Sequence, residues 1–139
     1  MKPRVPVRVF GKASARLRSI LAAAARAAGP LKGPVDIHLV SDAAIRRVNR
    51  ERLGHDYATD VCTFPMGEPF LWGELVISAQ TARREARQRR IPLEREIAHY
   101  VVHGVLHLCG HDDRTVVQRR KMRRREMECL KIAFGEALD

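Results

Sequence analysis

The sequence predicts an α+β fold: a single domain with a small four-stranded mixed sheet, about five helices packed around it, and a central helix equipped to bind a metal. Three observations carry that prediction. Short runs such as Val35 to Val40 alternate apolar residues in the way a half-buried strand does, with Val35, Ile37 and Leu39 on one face. Longer runs such as Leu93 to Leu108 place apolar residues at the spacing of a helix. A chain of 139 residues, 45% of them apolar, is long enough to bury one core, and no internal repeat or linker divides it.

In order along the chain, Val5 to Phe10 alternates as a strand, and Lys12 to Ala28 is an alanine-rich helix with Leu17, Ile20, Leu21 and Ala24 at helical spacing, stopped by Gly29-Pro30. After the strand Val35 to Val40, Ser41 or Asp42 caps a short helix running through Ile45 and Val48 to about Arg50. Glu51 to Thr59 reads as irregular. Val61 to Phe64 is a short strand, Pro65, Gly67 and Pro69 mark a loop, and Gly73 to Ser78 is the fourth strand. A helix crowded with arginines runs from Ala79 to about Arg90. Pro92 suits the start of the next helix, whose apolar stripe is Ile97, Tyr100, Val101, Val105 and Leu108, widened by Val102 and Leu106. After Gly110, Thr115 caps a last helix to about Ala137, one face of which carries Arg119, Arg120, Lys121, Arg123, Arg124 and Arg125.

A formal net charge of +10 favours a polyanionic partner such as nucleic acid. The most membrane-like stretch, Ile20 to Ala28, is short and holds Arg26, so no membrane span is expected. No signal peptide is visible, because Arg8 interrupts the apolar start. Cys62, Cys109 and Cys129 are odd in number and lack CxxC spacing, which suits free thiols in a reducing cytosol and predicts a cytoplasmic protein.

The chemistry is concentrated in His103-Gly-Val-Leu-His107-Leu-Cys-Gly110-His-Asp-Asp113. Four residues turn a helix through about 400°, so His103 and His107 share a face roughly 6 Å apart along the axis. Both nitrogens can then reach one ion at about 2.0–2.1 Å. Gly110 is the usual kind of helix stop, after which the chain can fold back and bring His111, Asp112 or Asp113 to the ion. Cys109 points away around the helix. Gly104 stands where a metallopeptidase carries its general-base glutamate, so the peptidase pattern is absent. Three protein ligands with an open position are the arrangement of catalytic zinc.

This stretch closely resembles the HGxLHLxGYDH signature of the YbeY family of metal-dependent endoribonucleases. Val48-Asn49, Thr59-Asp60-Val61 through Phe64-Pro65, Gly73-Glu-Leu-Val-Ile-Ser78 and Glu126-Met-Glu128 resemble other family segments in order and spacing. The resemblance covers roughly residues 35 to 130. It implies an α+β fold, one zinc ion in a cleft, cleavage of single-stranded RNA, and work on the 3′ end of 16S rRNA and on ribosomal particles.

Carried over by position, the first two ligands fall on His103 and His107. The family's third ligand, a histidine, falls on Asp113, and its tyrosine on His111. An aspartate is a harder ligand and makes the site more tolerant of manganese or iron. The family's phosphate-binding arginine falls on Leu53, leaving its neighbours Arg50 and Arg52 as candidates to replace it. Asp112 is a candidate for orienting a ligand, or else a turn residue bonding its own backbone. His55 and Asp56 are candidates to line the cleft, and Phe70 and Trp72 to stack on a base. The basic runs Arg83 to Arg90 and Arg119 to Arg125 are expected to supply salt-dependent affinity for RNA. Two other readings share the metal site: a hydrolase acting on a peptide, and a ribosome-associated protein with a structural metal and no turnover.

Overall fold

The computed structural model describes residues 4–54 and 60–136. The elements, in chain order, are β1 (Val7–Phe10), α1 (Ala15–Ala28), β2 (Val35–Val40), α2 (Asp42–Leu53), β3 (Val61–Glu68), β4 (Leu71–Ser78), α3 (Ala79–Arg89), α4 (Leu93–Leu108) and α5 (Val116–Ala133). They form one four-stranded sheet of order β1-β2-β4-β3, in which β1, β2 and β4 run parallel and β3 pairs antiparallel to β4. The predicted α+β architecture with a mixed sheet is the observed one.

Strand alternation decides what each face of the sheet covers. Val35, Ile37 and Leu39 of β2, with Leu75 and Ile77 of β4, point into the main core beside Leu21 and Ala24 of α1, Val101 and Val105 of α4, and Leu130 of α5. On the opposite face Cys62 and Val76 meet Ile45 of α2 in a smaller cluster flanked by Val48 and Phe64. The apolar stripe predicted on α4 is buried except for Leu108, which is half-buried.

Two glycines let α4 lie close on the sheet. A Cβ at Gly104 would stand 2.6 Å from Leu75 Cδ2 and 3.0 Å from Thr63 Oγ1, and one at Gly73 would stand 2.3 Å from Leu108 Cδ1. The position where a peptidase would carry glutamate therefore has no room for a side chain here, and the flanking histidines are drawn towards β3.

Besides element ends that differ by a few residues, such as α5 stopping at Ala133 rather than about Ala137, the structure departs from the sequence reading in two places. The first is α2, which continues past Arg50 to Leu53 and ends on Gly54, whose φ of 74° is the left-handed conformation. Leu53 is 46% exposed, so the last turn carries no apolar pattern to read. The second is the supposed loop at Pro65 and Gly67, which belongs to β3 and forms a hairpin with β4 whose register shifts between Pro65 and Glu68. An edge strand tolerates a proline that a central strand would not, since no ladder hydrogen bond is lost on its open side. Of the two aromatics offered for stacking on a base, Phe70 is 82% exposed, whereas Trp72 is half-buried against the main core.

Asp42 ties α2 to α3. Its Oδ1 accepts from Ser78 Oγ at 2.5 Å and Thr81 Oγ1 at 2.8 Å, and its Oδ2 accepts from Arg84 Nη1 at 2.8 Å. Hydrogen bonds from Arg84 and then Ser78 hold its carboxyl at about 2, below the usual carboxylate value. Because the folded-state value is depressed, the stabilisation is complete above about pH 4 and is lost as the pH falls towards 2. Asp42→Asn is expected to cost about 1 kcal/mol at neutral pH, discounted for solvent screening. Denaturant melts of the two proteins should converge between pH 4 and 2, and a gap that persists at pH 2 would mean that the carboxylate charge is not its source.

Candidate metal centre

The site is built where α4 ends. The N–H of Gly110 donates to His107 O at 3.0 Å and that of His111 to Leu106 O at 3.0 Å, the paired bonds of a Schellman turn, with Gly110 at φ 97°. A residue with a Cβ adopts that conformation only at a cost, so glycine is what allows the chain to reverse here. The reversal returns Asp113 to the helix it has just left. Asp112 makes the turn's next bond, its Oδ1 accepting from the N–H of Asp113 at 2.8 Å, and it also pairs with Arg114 Nε at 3.4 Å.

Three side chains converge. His103 Nε2 and His107 Nε2 are 3.1 Å apart, and Asp113 Oδ2 lies 3.4 Å from His107 Nε2 and 3.8 Å from His103 Nε2. Among the described residues they form the one group of at least three such side chains able to hold a metal ion. A tetrahedral ion with bonds of about 2.0–2.1 Å requires ligand atoms about 3.3–3.4 Å apart, so the triangle fits such an ion with small adjustments. Two nitrogens and a carboxylate oxygen suit zinc and other first-row divalent ions. His111 is exposed and stands outside the group.

Glu126 of α5 supplies what the sequence reading did not assign. Its Oε2 lies 2.5 Å from His103 Nδ1 and its Oε1 lies 3.0 Å from His99 Nε2. A proton on His103 Nδ1, shared with this carboxylate, would leave the Nε2 lone pair free to face an ion between His107 and Asp113. Glu126 is only 7% exposed. Burial alone would raise its pKa, but the two imidazoles outweigh burial and hold it at about 2. The hydrogen bond to Glu126 in turn raises the pKa of His103. A signal exists for His99, since it extends the His103 and His107 spacing by one more turn; for Glu126 the family resemblance marks the segment, but no spacing links it to His103, 23 positions away.

The triad borders two clefts that share Asp60, Val61 and His103. The larger, about 510 Å³, is walled by Arg89, His99, Tyr100, Asp113, Arg119, Met122, Arg123 and Glu126, and the other lies against Thr63, Pro65 and His107. Neither Arg50 nor Arg52 borders either cleft. The guanidinium of Arg52 donates to Glu74 Oε1 at 2.7 Å and lies 4.5 Å above the Phe64 ring, on the sheet face that α2 covers, and Arg50 is exposed on α2. The structure thus separates both arginines from the triad and sets Arg119 and Arg123 beside it. His55 and Asp56 lie outside the described residues.

The fold and this site define a class: an α+β protein in which two helix-borne histidines and an aspartate, braced by a buried glutamate, converge as a group that could hold a metal ion. A family model described as Endoribonuclease YbeY matches residues 9–133, and the chain belongs to that family. Curated proteins named Endoribonuclease YbeY include those of Anaeromyxobacter sp. (strain Fw109-5), 44% identical over 91% of this chain and 66% of its own length, and Rhodopirellula baltica, 44% identical over 79% of this chain and 59% of its own. That of Chelativorans sp. (strain BNC1) is 36% identical over 86% of this chain and 78% of its own. The chain therefore spans two thirds or less of the first two relatives. The solution structure of TM1509 from Thermotoga maritima superposes with a TM-score of 0.67 at 26% identity, covering 93% of this chain and 89% of that one.

Proposed function

We propose that this protein is a metal-dependent endoribonuclease that hydrolyses phosphodiesters of single-stranded RNA, with one zinc ion held by His103, His107 and Asp113. The observation that carries the reading is a ligand triad opening onto a cleft walled by arginines, in a chain of net charge +10. When bound, the ion supplies Lewis acidity at the scissile phosphate and acidifies water near it. The residues of the chain do the rest. Glu126 holds the His103 proton on Nδ1 and orients the ring, and Asp112 fixes the backbone that presents Asp113. The cleft arginines offset the charge that grows on phosphate as the bond breaks. Family membership supports the 3′ end of 16S rRNA and ribosomal particles as the setting, and free thiols support a cytoplasmic one. Among the described residues no helix is long and apolar enough to cross a membrane.

Elemental analysis of the purified protein, paired with RNA cleavage before and after chelation, tests the proposal. About one equivalent of zinc and cleavage of single-stranded RNA that stops with chelator and returns with zinc are expected. Stoichiometric manganese or iron would reassign the metal. Peptide cleavage without RNA cleavage would replace the nuclease reading, and bound metal without turnover would leave a structural one.

A further inference from the structure

Arg119, Met122, Arg123 and Glu126 stand at i, i+3, i+4 and i+7 on α5 and form one stripe of that helix. Its buried members, Met122 and Glu126, show which way it faces: towards the cleft, where Glu126 meets His103. The two arginines continue the same stripe along the cleft wall. Arg119 is fixed beside the third ligand, because its Nη1 donates to the backbone carbonyls of Asp113 at 3.4 Å and Arg114 at 3.1 Å.

Within the cleft, what sets these two apart from Arg89 is the absence of a counter-charge. Arg8, Arg52, Arg84, Arg89, Arg95 and Arg125 each pair with a carboxylate, and the third cleft arginine, Arg89, is taken up by Glu96 at 2.8 Å. Arg119 and Arg123 pair with no carboxylate among the described residues. The acids of the cleft and its turn are engaged elsewhere: Glu126 by two histidines, Asp113 by the triad, Asp112 by Arg114 and its own turn, and Asp60 by the N–H of Val61.

We infer that Arg119 and Arg123 form the phosphate-binding subsite of this centre and hold two neighbouring phosphates of one RNA strand, the work for which Leu53 and the distant Arg52 are unsuited. The inference rests on the endoribonuclease reading and extends it. The two side chains leave α5 about 6 Å apart along its axis, and each guanidinium offers a fork of donors matched to phosphate oxygens. Turnover then requires the strand to run along α5, with the scissile phosphate carried to the triad by the grip on its neighbours.

Fluorescein-labelled single-stranded RNA, titrated by anisotropy with chelator present so that nothing is cleaved, reads this directly. Arg119→Gln and Arg123→Gln are each expected to weaken binding about tenfold. The double variant should lower the slope of log affinity against log salt by about 1.4, or 0.7 per lost contact. Arg47→Gln, on α2 across the sheet, should shift affinity less than twofold, and the zinc content of each variant, measured before chelator is added, should match wild type. A double Arg→Lys variant should recover the slope while binding less tightly than wild type. Wild-type slope and affinity in the double glutamine variant would overturn the inference, as would failure of lysine to recover the slope, which would assign the loss to structure. If wild-type protein charged with zinc cleaves no RNA, the nuclease reading itself falls and takes the subsite with it; if wild type cleaves and the glutamine variants bind and cleave equally well, only the subsite falls.

Discussion

His103→Ala and His107→Ala are each expected to empty the metal site and to lower RNA cleavage about a thousandfold or more, since each would remove one of the three ligands proposed for the ion. The two variants should nevertheless differ in stability. The polar contacts of His107 are to the other members of the triad, with Nε2 3.1 Å from His103 and 3.4 Å from Asp113, and both partners are part-exposed, so water can replace it when it is lost. His103 also satisfies Oε2 of Glu126, a buried carboxylate that keeps His99 as its remaining partner. Leaving half of that carboxylate unbonded costs about 1–3 kcal/mol. Metal-free His103→Ala should therefore melt several degrees below metal-free His107→Ala, whose melting should match that of the metal-free wild type. Equal melting temperatures would show that the contact with Glu126 adds nothing to folding, and cleavage at the wild-type rate by either variant would show that the activity belongs to another protein in the preparation.

The parts of this molecule that sequence made legible are those governed by local geometry. The spacing of His103 and His107 and the stop at Gly110 follow from helix pitch and backbone conformation, which need no knowledge of the rest of the fold. The buried face of α4 and the alternation of β2 are legible for the same reason. Contacts made through tertiary packing were not. Glu126 reaches His103 only because α5 folds back across α4, and no spacing rule connects positions on two helices. Arg119 and Arg123 were visible as charge but not as cleft residues, because Arg120, Lys121, Arg124 and Arg125 surround them with the same chemistry; burial of Met122 and Glu126 is what singles out their stripe. The hairpin of β3 was obscured by Pro65 and Gly67, which usually signal a loop and here occupy the sheet's open edge. Arg50 and Arg52 are candidates only by closeness in sequence to Leu53, and the added turn of α2 and the pull of Glu74 carry Arg52 to the far face of the sheet.

Glu126→Gln is expected to keep the fold and weaken zinc binding by about 10–100-fold, the usual consequence of altering the group that orients a metal-bound histidine. Glutamine has nearly the same shape, so Met122, Cys129 and Leu130, the buried neighbours on α5, should pack as before. What changes is the charge facing His103 Nδ1. A carboxylate strengthens the proton's attachment there and makes Nε2 the more basic donor, whereas an amide oxygen does so weakly, and its NH₂ group must find an acceptor at His99. Glu126→Ala should lose affinity further and also lose stability, because both His99 and His103 then lack a partner. Competition with a chelating indicator measures the affinities, and the visible spectrum of the cobalt-substituted protein reports whether the ligand geometry has shifted. Wild-type zinc affinity in Glu126→Gln would reduce Glu126 to a packing residue. A loss confined to Glu126→Ala would show that a hydrogen-bond acceptor beside His103 is enough and that the negative charge contributes nothing to holding the ion.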